Sequence, residues 1–125
     1  MARVVLTDEA KPDLHDLDGA ARIVVAKALR KLAEQPELRG GPLGSRASGD
    51  LTTFRKLVVG DRDYRVVFRV ERDGTVCVVW VIGPRTDDEC YELAIKRLRL
   101  LRDPDRARLI RDLIDVAYGK NQSAR

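Results

Sequence analysis

Two arginines lie among apolar residues in a strand-like run from Tyr64 to Glu71. The period of two of an extended strand places Arg65, Val67 and Arg69 on one face of this run, and aromatic and aliphatic side chains on the other. We therefore predict that one face is core and that the other carries cations. A guanidinium group is a planar fork of donors that stays charged at any relevant pH, so this face suits a polyanion. The same two arginines also fit the solvated face of an edge strand.

Length and composition limit the class of protein. The chain has 125 residues, which suits one domain, and its 44% hydrophobic and 35% charged content is typical of a folded protein with an ionised surface. The net charge of +4 permits attraction to nucleic acid, to an acidic membrane surface or to an acidic partner. No window has the apolar character of a signal peptide or a membrane span, so we expect a cytoplasmic location and no membrane partner.

The two cysteines, Cys77 and Cys90, fit neither a disulfide framework nor the paired spacing of a zinc site. We interpret both as reduced packing residues. The sequence also contains no P-loop and no dinucleotide-binding fingerprint.

The N-terminal third predicts one strand and two helices. Residues 3–6 are β-branched and aliphatic and predict a strand, and Thr7 starts a first helix that ends near Leu17 or Asp18. Apolar residues at helical spacing predict a second helix from Gly19 to Gln35. Pro36 ends that helix, and the glycine-rich stretch 39–50 predicts a loop.

Three strand-like runs follow without an intervening helix. They cover residues 51–59, 64–71 and 75–82, and the short connections between them favour hairpins. The sequence therefore predicts an antiparallel meander. The third run is apolar on both sides, as in a central strand that is covered on both faces.

The C-terminal part predicts two more helices. Thr86 and Glu89 match a capping box that starts a helix reaching about Leu101. The Asp103-Pro104 pair opens a fourth helix through about Tyr118, after which we expect a frayed tail. The apolar residues of this fourth helix that need a surface to cover are Leu109, Leu113, Ile114 and Ala117.

The order of these elements resembles the RelE/ParE superfamily of toxins from type II toxin–antitoxin systems. The resemblance covers residues 2–100 and implies an α+β, RelE-like fold: an antiparallel three-strand meander plus an N-terminal strand, two N-terminal helices on the sheet and two C-terminal helices. We expect residues 1–101 to form the toxin domain, and residues 102–125 to add a helix and tail to the same domain. The fragments that carry the resemblance are Gly60-Asp61, Asp63 to Phe68, Asp73-Gly74, Val81 to Arg85 and Glu89-Cys90-Tyr91.

The resemblance implies a ribosome-assisted mRNA endoribonuclease that inhibits translation. Because the sequence offers no cluster of acids or histidines near Arg65 and Arg85 for a divalent ion, we expect the reaction to be metal-independent. The positions that match the catalytic residues of RelE-like toxins are Arg65, Arg85 and Tyr91. Attack of a 2′-hydroxyl on its own phosphate needs stabilisation of phosphorane charge, which arginines supply, and proton transfers, for which Tyr91 is the candidate. Tyr91 could instead stack on an unpaired base or simply pack. Further RNA contacts are expected from Arg55, Lys56 and Arg69.

One departure from the RelE pattern keeps a second function open. RelE-like nucleases often carry two basic residues at alternate positions of the first meander strand, whereas here Arg55 or Lys56 fills the first place and Leu57 or Val58 the second. The alternative is a ParE-like toxin that acts without nuclease activity by binding DNA gyrase, or a degenerate member that only binds its antitoxin. The single histidine, His15, excludes a two-histidine ribonuclease mechanism.

The resemblance also implies partners and cofactors. We expect a cognate antitoxin protein, together with mRNA and the ribosome for the nuclease function, and we expect no cofactor and no metal ion.

Overall fold

A computed structural model describes residues 1–46, 49–61, 63–84 and 86–123. The strands are β1 (Arg3–Leu6), β2 (Gly41–Arg46), β3 (Gly49–Val59), β4 (Tyr64–Glu71) and β5 (Val76–Gly83). The helices are α1 (Ala10–His15), α2 (Gly19–Leu32), α3 (Asp87–Arg99) and α4 (Pro104–Ser123), with short 3-10 turns at Pro36–Leu38, Arg72–Gly74 and Leu100–Arg102. The predicted α+β class is confirmed.

The strands form one sheet in the order β1-β5-β4-β3-β2. The pairs β3–β4 and β4–β5 are antiparallel, as the meander predicted, and β1 pairs with β5 in parallel. Since α1 and α2 lie between β1 and the meander in the sequence, the chain has the long crossover that a parallel pair requires.

The loop predicted over residues 39–50 is wrong, because most of this stretch is strand. Residues Gly41–Arg46 form β2, which pairs with β3 at the edge of the sheet, and β3 itself starts at Gly49. A strand that contains glycine and proline is not recognised from sequence patterns, because these residues are typical of turns. An edge strand tolerates Pro42, however, because its second side needs no backbone donor.

Both faces of the sheet are covered by helices, so the face that carries the predicted cations also carries a hydrophobic core, which the sequence did not predict. Helices α1 and α2 pack on the face that carries Val66 and Phe68, whereas α3 and α4 pack on the face that carries Val67. All residues of β5 are buried, as predicted for a strand covered on both sides. The arginines of β4 therefore share their face with a second hydrophobic core.

Beyond the end of β1, the side chains of an ion pair bind backbone groups of β5 that a neighbouring strand would otherwise bind. Strand β1 ends opposite Val79, and beyond that point the backbone N–H of Ile82 donates to Asp13 of α1 (3.0 Å). Arg97 of α3 donates to the carbonyl of Trp80 (2.7 Å) and to both oxygens of Asp13 (2.7 and 3.0 Å). The two charged side chains are only 12% and 9% exposed. This pair joins α1, β5 and α3, and so supports the end of β5 that leads into the site described below.

The helices follow the predicted order with shorter or longer ends. Helix α1 is shorter than predicted, α2 stops at Leu32, and α3 runs from Asp87 behind its predicted Thr86 cap. Helix α4 continues through Ser123, so the prediction of a frayed tail from residue 119 is wrong up to that point, and residues 124–125 lie outside the described chain.

Helix α4 buries only part of the predicted apolar stripe. Ile114 and Ala117 are buried, but Leu109 is 56% exposed. Ile110 and Tyr118 pack against the same core instead, which rotates the contact face by about one residue. No helix in the described part of the chain is both long and apolar enough to cross a membrane.

Candidate functional site: a cation pair held by Asp87

Two cations from neighbouring strands meet on one carboxylate. The Nζ atom of Lys56 in β3 lies 2.7 Å from Oδ2 of Asp87, and Nε of Arg65 in β4 lies 2.8 Å from Oδ1. Val58 is the register partner of Arg65, and Val58 and Lys56 are two residues apart on the same face of β3. We call these three residues the cation clamp.

The start of α3 fixes the carboxylate of the clamp. Thr86 accepts a hydrogen bond from the N–H of Glu89 through its hydroxyl (3.2 Å), and Glu89 accepts one from the N–H of Thr86 (3.2 Å). This capping box places Asp87 at the first helical position, where an acid is also favoured by the helix dipole. Asp87 itself takes no part in the box.

The clamp is partly shielded from water. The side chain of Arg65 is 15% exposed and that of Lys56 is 25% exposed, whereas Asp87 is 47% exposed. The hydrogen bond from Lys56, followed by that from Arg65, holds the pKa of Asp87 below its usual value of 3.8. The cations thus lie beneath a solvent-facing anion, and their donors already hold two oxygens of one group. A phosphate offers oxygens of the same kind.

Tyr91 lies in the core rather than in the clamp. Its side chain on α3 is fully buried, and its hydroxyl donates to the backbone carbonyl of Gly49 at the start of β3. The structure therefore places Tyr91 where a substrate does not reach it in this conformation, which favours the packing interpretation. Arg85 lies outside the described residues, and its predicted role stays a prediction.

Arg55 projects from the opposite face of the sheet to Lys56. Its Nε donates to the carbonyl of Arg39 (2.8 Å) and its Nη2 to that of Gly40 (3.0 Å). Gly40 has a φ of +62°, and a Cβ there would lie 2.1 Å from the carbonyl oxygen of Lys56, so only glycine fits. Arg55 therefore stabilises the turn before β2. It does not lie with the clamp.

Arg69 shares its face with Arg65 but lies four residues along β4, about 13 Å away at the usual rise of a strand. It pairs with Glu71, and its guanidinium lies 5.0 Å from the ring centre of Phe54 and 6.0 Å from that of Trp80. Residues of α4 line the same region, including Ile114. The structure thus separates Arg69 from the clamp.

Sequence reasoning missed Asp87 as a site residue. The sequence indicated Asp87 only as one of the acids that start a helix. Its position two residues after the predicted site residue Arg85 could have indicated that it also lies at the site. Within residues 1–46, 49–61, 63–84 and 86–123, no three histidine, cysteine or acidic side chains come together in a way that could hold a metal ion.

The family described as the ParE toxin of the type II toxin–antitoxin system, parDE, matches residues 4–89, which is more than half of the chain. The chain belongs to this toxin family. The resemblance to the RelE/ParE superfamily is therefore confirmed, and the protein is a toxin of a type II toxin–antitoxin system.

Solved structures of both RelE and ParE type share the fold. The toxin–antitoxin complex RelBE2 from Mycobacterium tuberculosis has a chain 26% identical, with a TM-score of 0.57 over 67% of this chain and 98% of that chain. The isolated RelE toxin of E. coli is 21% identical, with a TM-score of 0.57 over 78% and 99% of the respective chains. The chromosomal ParDE system of P. aeruginosa gives 16% identity and a TM-score of 0.53 over 69% and 98%.

No curated protein matches the sequence. RelE and ParE toxins share this fold, so the fold does not identify the cellular target of the toxin. The target has to be inferred from the chemistry of the toxin's own residues.

Proposed function

We propose that this toxin binds the RNA backbone at Lys56 and Arg65 and cleaves mRNA with the assistance of the ribosome. One observation carries the proposal: donors from two strands converge on the two oxygens of one carboxylate at 2.7 and 2.8 Å. The same donors could hold two oxygens of one phosphodiester. Their partial burial strengthens this interaction relative to exposed lysines and arginines, because water screens it less.

The clamp suits one part of the cleavage reaction. When a 2′-hydroxyl attacks the adjacent phosphate, negative charge grows on the phosphorane oxygens, and preplaced cationic donors stabilise it. Arg85 is two residues before Asp87, and two consecutive Cα–Cα steps span about 7 Å at most. We therefore include Arg85 as a third donor to the same phosphate.

The clamp does not supply an evident general acid or base for the proton transfers of the reaction. Because its cations lower the pKa of Asp87, this carboxylate is a poor base. Tyr91 is buried and bound to Gly49, so the reaction would need either a rearrangement of α3 or groups supplied by the ribosome. This is our reason for proposing a reaction that is assisted by the ribosome, and therefore takes place in the cytoplasm. We propose separately that the reaction needs no metal ion.

Cleavage of a defined mRNA with and without ribosomes tests the proposal. We expect Lys56→Ala and Arg65→Ala each to reduce cleavage by about 100-fold, the scale of a lost oxyanion donor. Lys31→Ala is the matched control, because Lys31 is an exposed lysine on α2. Arg85→Ala tests the third donor in the same assay. Full cleavage by the Lys56 and Arg65 variants would refute the proposal.

The burial of Tyr91 favours a second candidate, a ParE-like toxin that binds DNA gyrase without cutting RNA. A supercoiling assay with the same variants separates the two functions. Stalled gyrase with intact mRNA would support the second candidate, and no growth arrest on expression would support a member that only binds its antitoxin. In each case we propose a cognate antitoxin as the physiological partner.

A further inference from the structure

The cation clamp already holds an anion of its own. Lys56 and Arg65 each carry one positive charge and Asp87 one negative charge, so the three residues together keep one net positive charge. The two donor atoms that face Asp87, Nζ of Lys56 and Nε of Arg65, are the atoms that an incoming phosphate would need. The carboxylate and a phosphate therefore compete for the same donors.

Asp87 can leave this position without unfolding its helix. The cap of α3 is made by Thr86 and Glu89, and Asp87 contributes no hydrogen bond to it. Its side chain is also the most exposed of the clamp, at 47% against 25% and 15% for the two cations. An anion from solvent thus approaches from the side on which Asp87 lies.

We propose that the Asp87 carboxylate is the resting occupant of the phosphate site and sets the affinity of the toxin for RNA. One phosphate of an RNA backbone replaces it between Lys56 and Arg65. This inference rests on the proposed function, because it assumes that the cation pair binds RNA phosphate. According to this inference, Asp87 lowers the affinity for RNA, whereas the two cations that it contacts raise it.

Removal of the charge should therefore strengthen RNA binding. Asp87→Asn keeps the shape of the side chain but removes the competing anion, and we expect about fivefold tighter binding, the equivalent of one partly exposed ion pair. The gain should shrink as the salt concentration rises, because salt screens the ion pair that the variant removes. A purely structural role of Asp87 would weaken binding instead.

The measurement is fluorescence anisotropy of a short labelled single-stranded RNA against the full-length toxin at several NaCl concentrations. Asp112→Asn is the control, because it removes the same charge from an exposed position on α4. Asp87→Ser is a second neutral variant in case Asn remains bound to the cations. Far-UV circular dichroism verifies that each variant is folded.

A variant that lacks both cations separates this inference from the proposed function. If the wild type and Lys56→Ala/Arg65→Ala bind RNA equally, the proposed site fails. If the double variant binds more weakly but neither neutral variant of Asp87 binds more tightly than the wild type, the site stands and the resting-occupant inference is overturned. The inference is also overturned if Asp87→Asn strengthens binding equally in the absence of both cations, because the gain would then be a general effect of charge.

Discussion

Replacement of Asp13 by alanine should destabilise the protein strongly, although Asp13 lies outside the cation clamp. The change leaves Arg97, 12% exposed, without its bidentate partner, and removes the acceptor of the Ile82 N–H. Breaking a buried ion pair by removing one member costs about 3–5 kcal/mol in the free energy of unfolding. For a domain of this size, that corresponds to a fall in Tm of roughly 12–20 °C.

Urea unfolding followed by far-UV circular dichroism measures this loss. Asp16→Ala is the matched control, because Asp16 is an exposed acid directly after α1. Asp13→Asn keeps an oxygen acceptor without the charge and should lose less than Asp13→Ala. A loss below about 1 kcal/mol for Asp13→Ala, or an equal loss for Asp16→Ala, would refute the assignment of the pair as a buried support of β5.

A double-mutant cycle tests whether the pair acts as a unit. We expect Asp13→Ala and Arg97→Met to show a coupling energy of about 1–3 kcal/mol, because the second change costs little once its partner is gone. The same cycle bears on the site, since Arg97 binds the carbonyl of Trp80 just before the end of β5. Additive effects would contradict the proposed edge pair.

Three further predictions concern single groups. Tyr91→Phe should lower the free energy of unfolding by about 1 kcal/mol through loss of the hydrogen bond to Gly49 and leave RNA cleavage unchanged; a large loss of cleavage in a folded variant would restore Tyr91 as a catalytic residue. Because the pKa of Asp87 is lowered from 3.8, the stability it contributes should be complete above pH 3.8 and vanish as the pH falls through its lower folded value. A difference in Tm between the wild type and Asp87→Asn that does not shrink as the pH falls below 3.8 would contradict this. Burial, and then the charge of Glu71, raises the pKa of the Cys77 thiol to about 12, so a thiol reagent at pH 8 should label Cys77 only after unfolding.

Local patterns predicted most of the elements because their causes are local. The capping box of Thr86 and Glu89 formed where the sequence placed it, since both partners lie within one helical turn. The alternation of Arg65, Val66 and Val67 across β4 is likewise a property of a single strand. Strand β2 was not predicted, because its glycines and Pro42 are typical of turns. These residues form a strand only because they pair with β3.

The roles of the basic residues could not be read in the same way. Arg65 and Arg69 lie on the same face of β4, yet Arg65 binds Asp87 and Arg69 lies over Phe54. They differ because different parts of α3 and α4 cover them. Arg55 and Lys56 are neighbours in the sequence and lie on opposite faces, with opposite consequences for the site. The alternation along a strand assigns each residue to a face, but it does not say which helix or turn covers that residue.

The sequence by itself determined the order of α1 to α4 and of β1, β3, β4 and β5, because these follow from periodicity, capping and connection lengths. It also carried the resemblance to the toxin family, through the fragments named above. Only the tertiary structure decided that Lys56, Arg65 and Asp87 meet, and that the Tyr91 hydroxyl binds the backbone within the core. The physical reason is that these contacts depend on how α3 docks on the sheet. That docking is set by packing across 20 or more residues of intervening chain, which no local pattern encodes.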